Sequence, residues 1–297
     1  MAPRELTGIM VALATPYKAD GSIDHEAIHT HVNRMVDAGV HGLVPGGSTG
    51  EFTTMTFGER KVMMETVIEA AAGRVPVVAG IGALNTSDAL DLARHHAKAG
   101  ADALMVLPPF YEAPNLVELK GYFKEIHVAS GLPLLYYNIP GLTGSKLGPK
   151  DLASLSEVGV KYLKDTSGDA PALTELLFGQ DKITAFNGWD TLTFYGIAAG
   201  AKGSVWGATN FIPELSVALW NALAVEGDVR KGREIWKKIW PICNFLDGHS
   251  YYSSAVKLGM DLRGWKTGGV RKPFHSLAKE HRAELAKLLN NAGIKTL

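Results

Sequence analysis

The sequence predicts an α/β fold, a (β/α)8 TIM barrel followed by a C-terminal helical extension. Three observations predict it. Eight short apolar runs rich in Val, Ile and Leu recur along the chain, most of them closing on Gly, Pro, Ser, Thr or Asn. Their starts are about 20–33 residues apart, the size of one strand–helix unit. The runs stop near Gly207, and helical patterning alone follows. Eight consecutive units favour a closed barrel, with a doubly wound sheet as the structural alternative.

Taken in order, the predicted strands are 8–17, 42–47, 75–82, 103–109, 132–140, 161–167, 183–190 and 202–207. Helical patterns lie between them. Residues 24–38 carry Ile28, Val32, Met35 and Val36 on one face, with Asp24 placed to cap the first turn. Residues 56–72 and 87–99 follow the same logic. Before strands two, four and eight, the preceding helix runs into Gly39, Gly100 and Gly200, where a left-handed backbone is free of a Cβ penalty. Beyond the strands, helices are expected over 213–225, 229–246, 251–262 and 276–291. The expected division is therefore 1–210 for the catalytic barrel and 211–297 for an extension packed on it.

Composition narrows the function classes. Of 297 residues, 46% are hydrophobic and 20% charged, which suits an ordinary globular chain. Thirty Lys+Arg balance thirty Asp+Glu, so no net positive field exists to attract nucleic acid or an anionic membrane. Cys243 is the one cysteine, which excludes an intrachain disulfide and fits a reducing compartment. No apolar run approaches the roughly 18 residues of a membrane span, and the first residues lack the basic start and apolar core of a secretion signal. A cytoplasmic protein is expected.

In a barrel of this kind, chemistry gathers at the C-terminal ends of the strands. Strand six brings Tyr162, Lys164 and Thr166 there. Alternation puts Tyr162 and Lys164 on one face and Lys161 and Leu163 on the other, so if Tyr162 faces the lumen, Lys164 does too. A lysine out of water favours its neutral amine, the form that attacks a ketone to give a Schiff base. The competing reading is an ion pair with Asp165 or a neighbour. After strand two, Gly46-Gly47-Ser48-Thr49-Gly50 offers successive N–H groups and two hydroxyls to a carboxylate or phosphate, or else a capped turn. It lacks the Gly-Lys-Ser/Thr of a P-loop. Tyr137 on strand five is suited to relay a proton, or to fill the core. His25-Glu26-Ala27-Ile28-His29 matches a zinc-peptidase pattern, but it opens the first helix and is expected away from the strand ends. A solvated helix start is the better reading, and no metal is expected. The sequon Asn85-Thr86-Ser87 is expected to be silent in a cytoplasmic protein.

With these residues in place, the chain resembles the dihydrodipicolinate synthase / N-acetylneuraminate lyase superfamily of Schiff-base aldolases. Three motifs carry the resemblance in order and at family spacing: Gly47-Ser48-Thr49-Gly50-Glu51, Tyr137-Asn138-Ile139-Pro140 and Lys164-Asp165-Thr166-Ser167-Gly168. It spans nearly the whole chain, from Gly8 to Phe274. It implies that Lys164 condenses with the keto carbon of pyruvate or another 2-oxo acid. Ser48 and Thr49 would hold the carboxylate, and Tyr137 would shuttle the proton. Tyr111 would complete the relay, usually from a neighbouring subunit of a homotetramer built as two dimers. Thr166, Gly188, Asp190 and Val205 would line the substrate site. The covalent lysine would serve without a cofactor.

Departures from the family pattern narrow the substrate. The synthases carry an arginine two residues after the Tyr-Asn-x-Pro motif, to grip a second carboxylate; here Leu142 stands there, and an aliphatic side chain cannot pair with a carboxylate. The local phrases look like the lyase branch instead. Sialic-acid lyases follow Asp190 with a glutamate, where this chain has Thr191, and the serine further on looks replaced by Gly207. The expected activity is cleavage of a 2-keto-3-deoxy sugar acid to pyruvate and an aldehyde. A dehydratase acting through the same imine is the main alternative, followed by synthase or hydratase-aldolase variants. A zinc peptidase and a non-catalytic binding barrel are the readings from other classes.

Overall fold

The computed structural model describes residues 4–297. Eight parallel strands form the barrel: β1 Gly8–Ala12, β2 Gly42–Val44, β3 Val78–Ile81, β4 Ala103–Val106, β5 Leu134–Asn138, β6 Val160–Asp165, β7 Thr184–Asn187 and β8 Gly203–Trp206. Hydrogen-bonded neighbours run β2-β1-β8-β7-β6-β5-β4-β3. The remaining seam closes through Leu43 N–H to Pro76 O at 3.0 Å and Gly80 N–H to Pro45 O at 2.9 Å. This closure separates the barrel from the doubly wound sheet, which leaves two open edges. All eight predicted strands are present but shorter than their apolar runs. The chain leaves the ladder while still buried: Leu13 and Ala14 after β1, like Val44 and Pro45 around the end of β2, remain inside.

The barrel helices alternate with the strands. They are α1 His25–Asp37, α2 Phe57–Ala71, α3 Thr86–Ala99 and α4 Leu116–Ser130, then the short α5 Pro140–Thr143 with α6 Pro149–Ser154, α7 Ala170–Phe178, α8 Thr193–Ala198 and α9 Pro213–Trp220. Local chemistry sets their starts. The Asp24 carboxylate accepts the Ala27 N–H, as its position predicts, and Thr56 with Glu59 closes a reciprocal capping box at α2. Asn85, the sequon asparagine, caps α3 by accepting the Asp88 N–H. Gly39, Gly100 and Gly200 have φ of 84°, 101° and 100°, so these joints use the left-handed turn expected of them.

Three apolar clusters result. One lies between the strands and the surrounding helices, with Tyr136 and Leu163 pointing outward into it. A second fills the lumen with Met10, Met105, Leu135, Tyr137, Tyr162, Phe186 and Val205. Tyr162 is therefore luminal, and alternation carries Lys164 to the same side. The third joins the extension to the barrel. There α10 Val229–Asp247 and α11 Tyr252–Leu262 bury Ile239, Ile242, Leu246, Val256 and Met260 against Trp206, Ala208 and Phe211, and α12 Lys279–Asn291 adds Leu285 and Leu289. Helix α9 follows β8 and packs on β1, completing the eighth strand–helix unit. A boundary at residue 210 thus cuts between a strand and its own helix. Among the described residues, no helix is long and apolar enough to cross a membrane.

Candidate active site

Lys164 sits near the C-terminal end of β6, on the luminal face, and is 5% exposed. Its Nζ lies 4.1 Å from the centre of the Tyr137 ring on neighbouring β5, where Tyr137 and Lys164 are register partners. The ion pair with Asp165 does not form. Asp165 points to the opposite face, where its carboxylate accepts Asn138 Nδ2 at 2.7 Å and Ser167 Oγ at 3.0 Å. Burial raises the Asp165 carboxyl above its ordinary range, and those hydrogen bonds oppose the shift. The family-like pairs Tyr137-Asn138 and Lys164-Asp165 therefore each split the same way. One member enters the lumen and the other ties the two strand ends together behind it.

A cavity of about 220 Å³ opens above Lys164. Ser48, Thr49, Tyr137, Thr166, Gly188, Asp190 and Val205 all line it, together with Lys164. The sequence places these residues on five different strand ends, and the barrel brings them together. The loop after β2 is a tight turn in which Gly50 N–H donates to Gly47 O at 3.0 Å and Glu51 N–H donates to Ser48 O at 2.9 Å. The N–H groups of Ser48 and Thr49 take no part in that turn and are available to an anion. Gly188 is required by space. A Cβ there would stand 2.7 Å from Lys164 Cε and 2.3 Å from Thr166 Oγ1.

Tyr111 is not in the cavity. It is 95% exposed on the loop after β4, with φ of 88°. A non-glycine residue held in that region carries backbone strain of about 1–2 kcal/mol, a cost found most often at functional positions. Within one chain, the expected relay from Tyr137 to Tyr111 is therefore incomplete.

The structure adds four residues that strand-end reasoning missed. Leu246 and Asp247 from the end of α10, His249, and Tyr252 from the start of α11 form the far wall. The Tyr252 hydroxyl donates to Asp190 Oδ2 at 2.6 Å. Gly207 makes this possible, because a Cβ there would lie 2.4 Å from that hydroxyl. Thr191 Oγ1 accepts Trp189 Nε1 at 3.0 Å and donates to Asp247 Oδ2 at 3.0 Å. Burial, and then the charge of Asp247, push the Asp190 carboxyl up to about 7, while Tyr252 and Lys164 pull it down. Leu142 completes the rim and is 67% exposed.

Behind the Ser48 turn lies a buried ionic network. Glu51 and Lys257, with side chains 0% and 2% exposed, pair at 2.5 Å. Lys257 also donates to Gly269 O at 2.7 Å, and its Nζ lies 4.0 Å from the Tyr17 ring centre. Ser253 Oγ donates to Ser48 O at 3.0 Å, and Tyr251 OH to Glu51 Oε2 at 3.2 Å. Three consecutive residues around the start of α11 thus tie the extension to the Ser48 turn, to Glu51 and to Asp190.

The zinc-like pattern is elsewhere. Because α1 follows β1, His25 and His29 begin on the same rim as the strand ends, so rim position does not set them apart as expected. Neither lines the cavity, and His25 Nδ1 pairs with Thr66 Oγ1 at 2.7 Å. Among the described residues, no three His, Cys, Asp or Glu side chains gather as a metal site.

The model of the dihydrodipicolinate synthetase family matches residues 5–292. A 4-hydroxy-tetrahydrodipicolinate synthase of Methanothrix thermoacetophila is 33% identical over 95% of both chains. A DapA-like lyase of Halobacterium salinarum is 33% identical over 98% of this chain and 96% of its own. Among solved structures, the chloride-inhibited dihydrodipicolinate synthase of Acinetobacter baumannii in complex with pyruvate superposes with a TM-score of 0.93. It is 30% identical over 98% of this chain and 100% of its own. The prophage protein YagE of Escherichia coli K12, also in complex with pyruvate, gives a TM-score of 0.91 at 29% identity, covering 97% of this chain and 99% of its own.

Proposed function

The chain belongs to the dihydrodipicolinate synthetase family, and from that premise we propose that it is a class I aldolase cleaving a 2-keto-3-deoxy sugar acid to pyruvate and an aldehyde. One observation carries the substrate reading. Among the described residues lining the cavity, Lys164 is the one lysine or arginine, while Asp190 and Asp247 stand on the far wall and Leu142 on the rim. Such a site suits a 2-oxo acid with one carboxylate and an uncharged, hydroxylated tail. A second carboxylate on the aldehyde half would meet an aliphatic side chain and two acids.

In the proposed reaction, Lys164 Nζ attacks C2 of the 2-oxo acid, and the carbonyl oxygen leaves as water. Ser48 and Thr49 hold the C1 carboxylate through N–H and hydroxyl donors. Tyr137 takes the proton from the C4 hydroxyl as the C3–C4 bond breaks. The bonding pair moves to C3 and into the protonated imine, giving an enamine, and the aldehyde departs. Return of a proton to C3 and addition of water at C2 release pyruvate and free Lys164. The lysine supplies the electron sink, so the scheme calls for no cofactor. Tyr111, exposed on its own subunit, is assigned to the relay of an adjacent copy in a tetramer.

Product analysis on a panel of unphosphorylated 2-keto-3-deoxy sugar acids tests this reading. Stoichiometric pyruvate and aldehyde are expected. A dehydrated oxo acid without pyruvate would make the enzyme a dehydratase. Condensation of pyruvate with a carboxylate-bearing aldehyde, and no cleavage of the sugar acids, would return it to the synthase activity named for its relatives.

A further inference from the structure

The far wall of the cavity is built from two parts of the chain. Asp190 and Thr191 follow β7, whereas Asp247 ends α10, 56 residues after Thr191. Thr191 holds the Asp247 carboxylate by one oxygen, Oδ2, and Trp189 orients Thr191 from the other side. Tyr252 holds Asp190 by Oδ2 in the same manner. Each carboxylate is held through Oδ2 and keeps lone pairs for a ligand hydroxyl. Both face the cavity that holds Lys164.

We propose that Asp247 is the residue that selects the substrate's tail, accepting a terminal hydroxyl and rejecting a phosphate or carboxylate in its place. This rests on the aldolase reading above and deepens it. The sugar-binding glutamate that resemblance would put at position 191 is absent, and Thr191 instead anchors a carboxylate delivered by the extension. A charged acceptor to a hydroxyl gains most where water is partly excluded, and the ionised Asp247 costs an anionic tail through like-charge repulsion. Lys164 lies at the C2 end of the site, beside the C1 carboxylate, and not at the far wall where the tail ends.

Calorimetric binding of 3-deoxy aldonic acids reduced at C2, which cannot be cleaved, tests the proposal without requiring turnover. The pair compared has a free or a phosphorylated terminal hydroxyl. Wild-type protein is expected to bind the free form more tightly. Asp247→Asn should weaken that binding by about 10-fold or more. Asp247→Lys should reverse the order, and Thr191→Val should act in the direction of Asp247→Asn. Equal affinity for the two acids in the wild type, or affinities that all three substitutions leave unchanged, overturn the proposal. Pyruvate trapping by borohydride, run on the same proteins, separates the levels. Trapping in the wild type together with calorimetric affinities that do not depend on Asp247 removes the tail assignment alone, whereas no trapping in the wild type removes the aldolase reading beneath it.

Discussion

The two ends of the cavity are built differently. The near end, with Lys164, Tyr137, Ser48 and Thr49, stands on strand tips and the turn that follows β2. Its geometry is set by ladder register, Tyr137 against Lys164, and by a rear row in which Asn138 and Asp165 tie the strands together. The far end pairs Asp190 and Thr191 with Asp247 and Tyr252, which come from helices outside the barrel cycle. A rigid sheet fixes the near end, and side-chain hydrogen bonds across a helix packing interface fix the far end. Sheet register tolerates little change, whereas helix termini can be re-equipped without disturbing the barrel. The proposed function divides along the same line, with the chemistry at the near end and the choice of substrate at the far end.

The largest effects should come from the near end. Tyr137→Phe is expected to lower kcat by about 10²- to 10⁴-fold, the range for losing a general acid–base group, while leaving pyruvate trapping intact. Equal loss of trapping and turnover would mean that Tyr137 builds the site and does not relay protons. Next comes the link between the ends. Lys257→Met strands Glu51 as an unpaired buried charge, and denaturant unfolding should show a loss of about 3–5 kcal/mol. Because Glu51 follows the Ser48 turn and Tyr251 and Ser253 bind the same region from α11, this variant should also raise the KM for pyruvate. A stability loss with unchanged KM would show that the network serves the fold alone.

Smaller effects belong to the rim and far end. Leu142→Arg should improve KM for an aldehyde partner bearing a carboxylate by about 10-fold, read in the condensation direction. No change would place the aldehyde's tail away from the rim. A further effect concerns pH. Burial raises the Asp190 carboxyl to about 7, so between the ordinary carboxylate range and that value the folded chain holds a proton that the unfolded chain has lost. Stability should therefore fall as pH rises across that interval, and Asp190→Asn should remove that part of the slope. An unchanged slope would mean that Asp190 titrates as an ordinary surface acid.

The near end was legible in the sequence because its residues are contiguous with their strands. Alternation from Tyr162 fixed the side on which Lys164 lies, and Gly47 to Glu51 reads as one phrase. The eight strands and the extension followed from hydrophobic runs and their spacing. Their ends did not, since Leu13 and Pro45 stay buried after leaving the ladder. The far end was not legible. Asp247 and Tyr252 lie 56 and 62 residues from their partners, on helices whose periodicity reports only which face is buried. Gly207 held a usable signal. Reading it as a lost serine found the gap, but only packing shows that the Tyr252 hydroxyl fills it. Tyr111 is the converse case, plain in the sequence yet exposed in a single chain.

In the proposed reaction everything depends on Lys164 as the nucleophile of a pyruvate site. Incubation with pyruvate and borohydride, followed by peptide mass mapping, tests it most directly. One reduced pyruvyl group is expected on the peptide bearing Lys164, and none in folded Lys164→Arg protein. An adduct on another lysine, or none on folded wild-type protein, would contradict it.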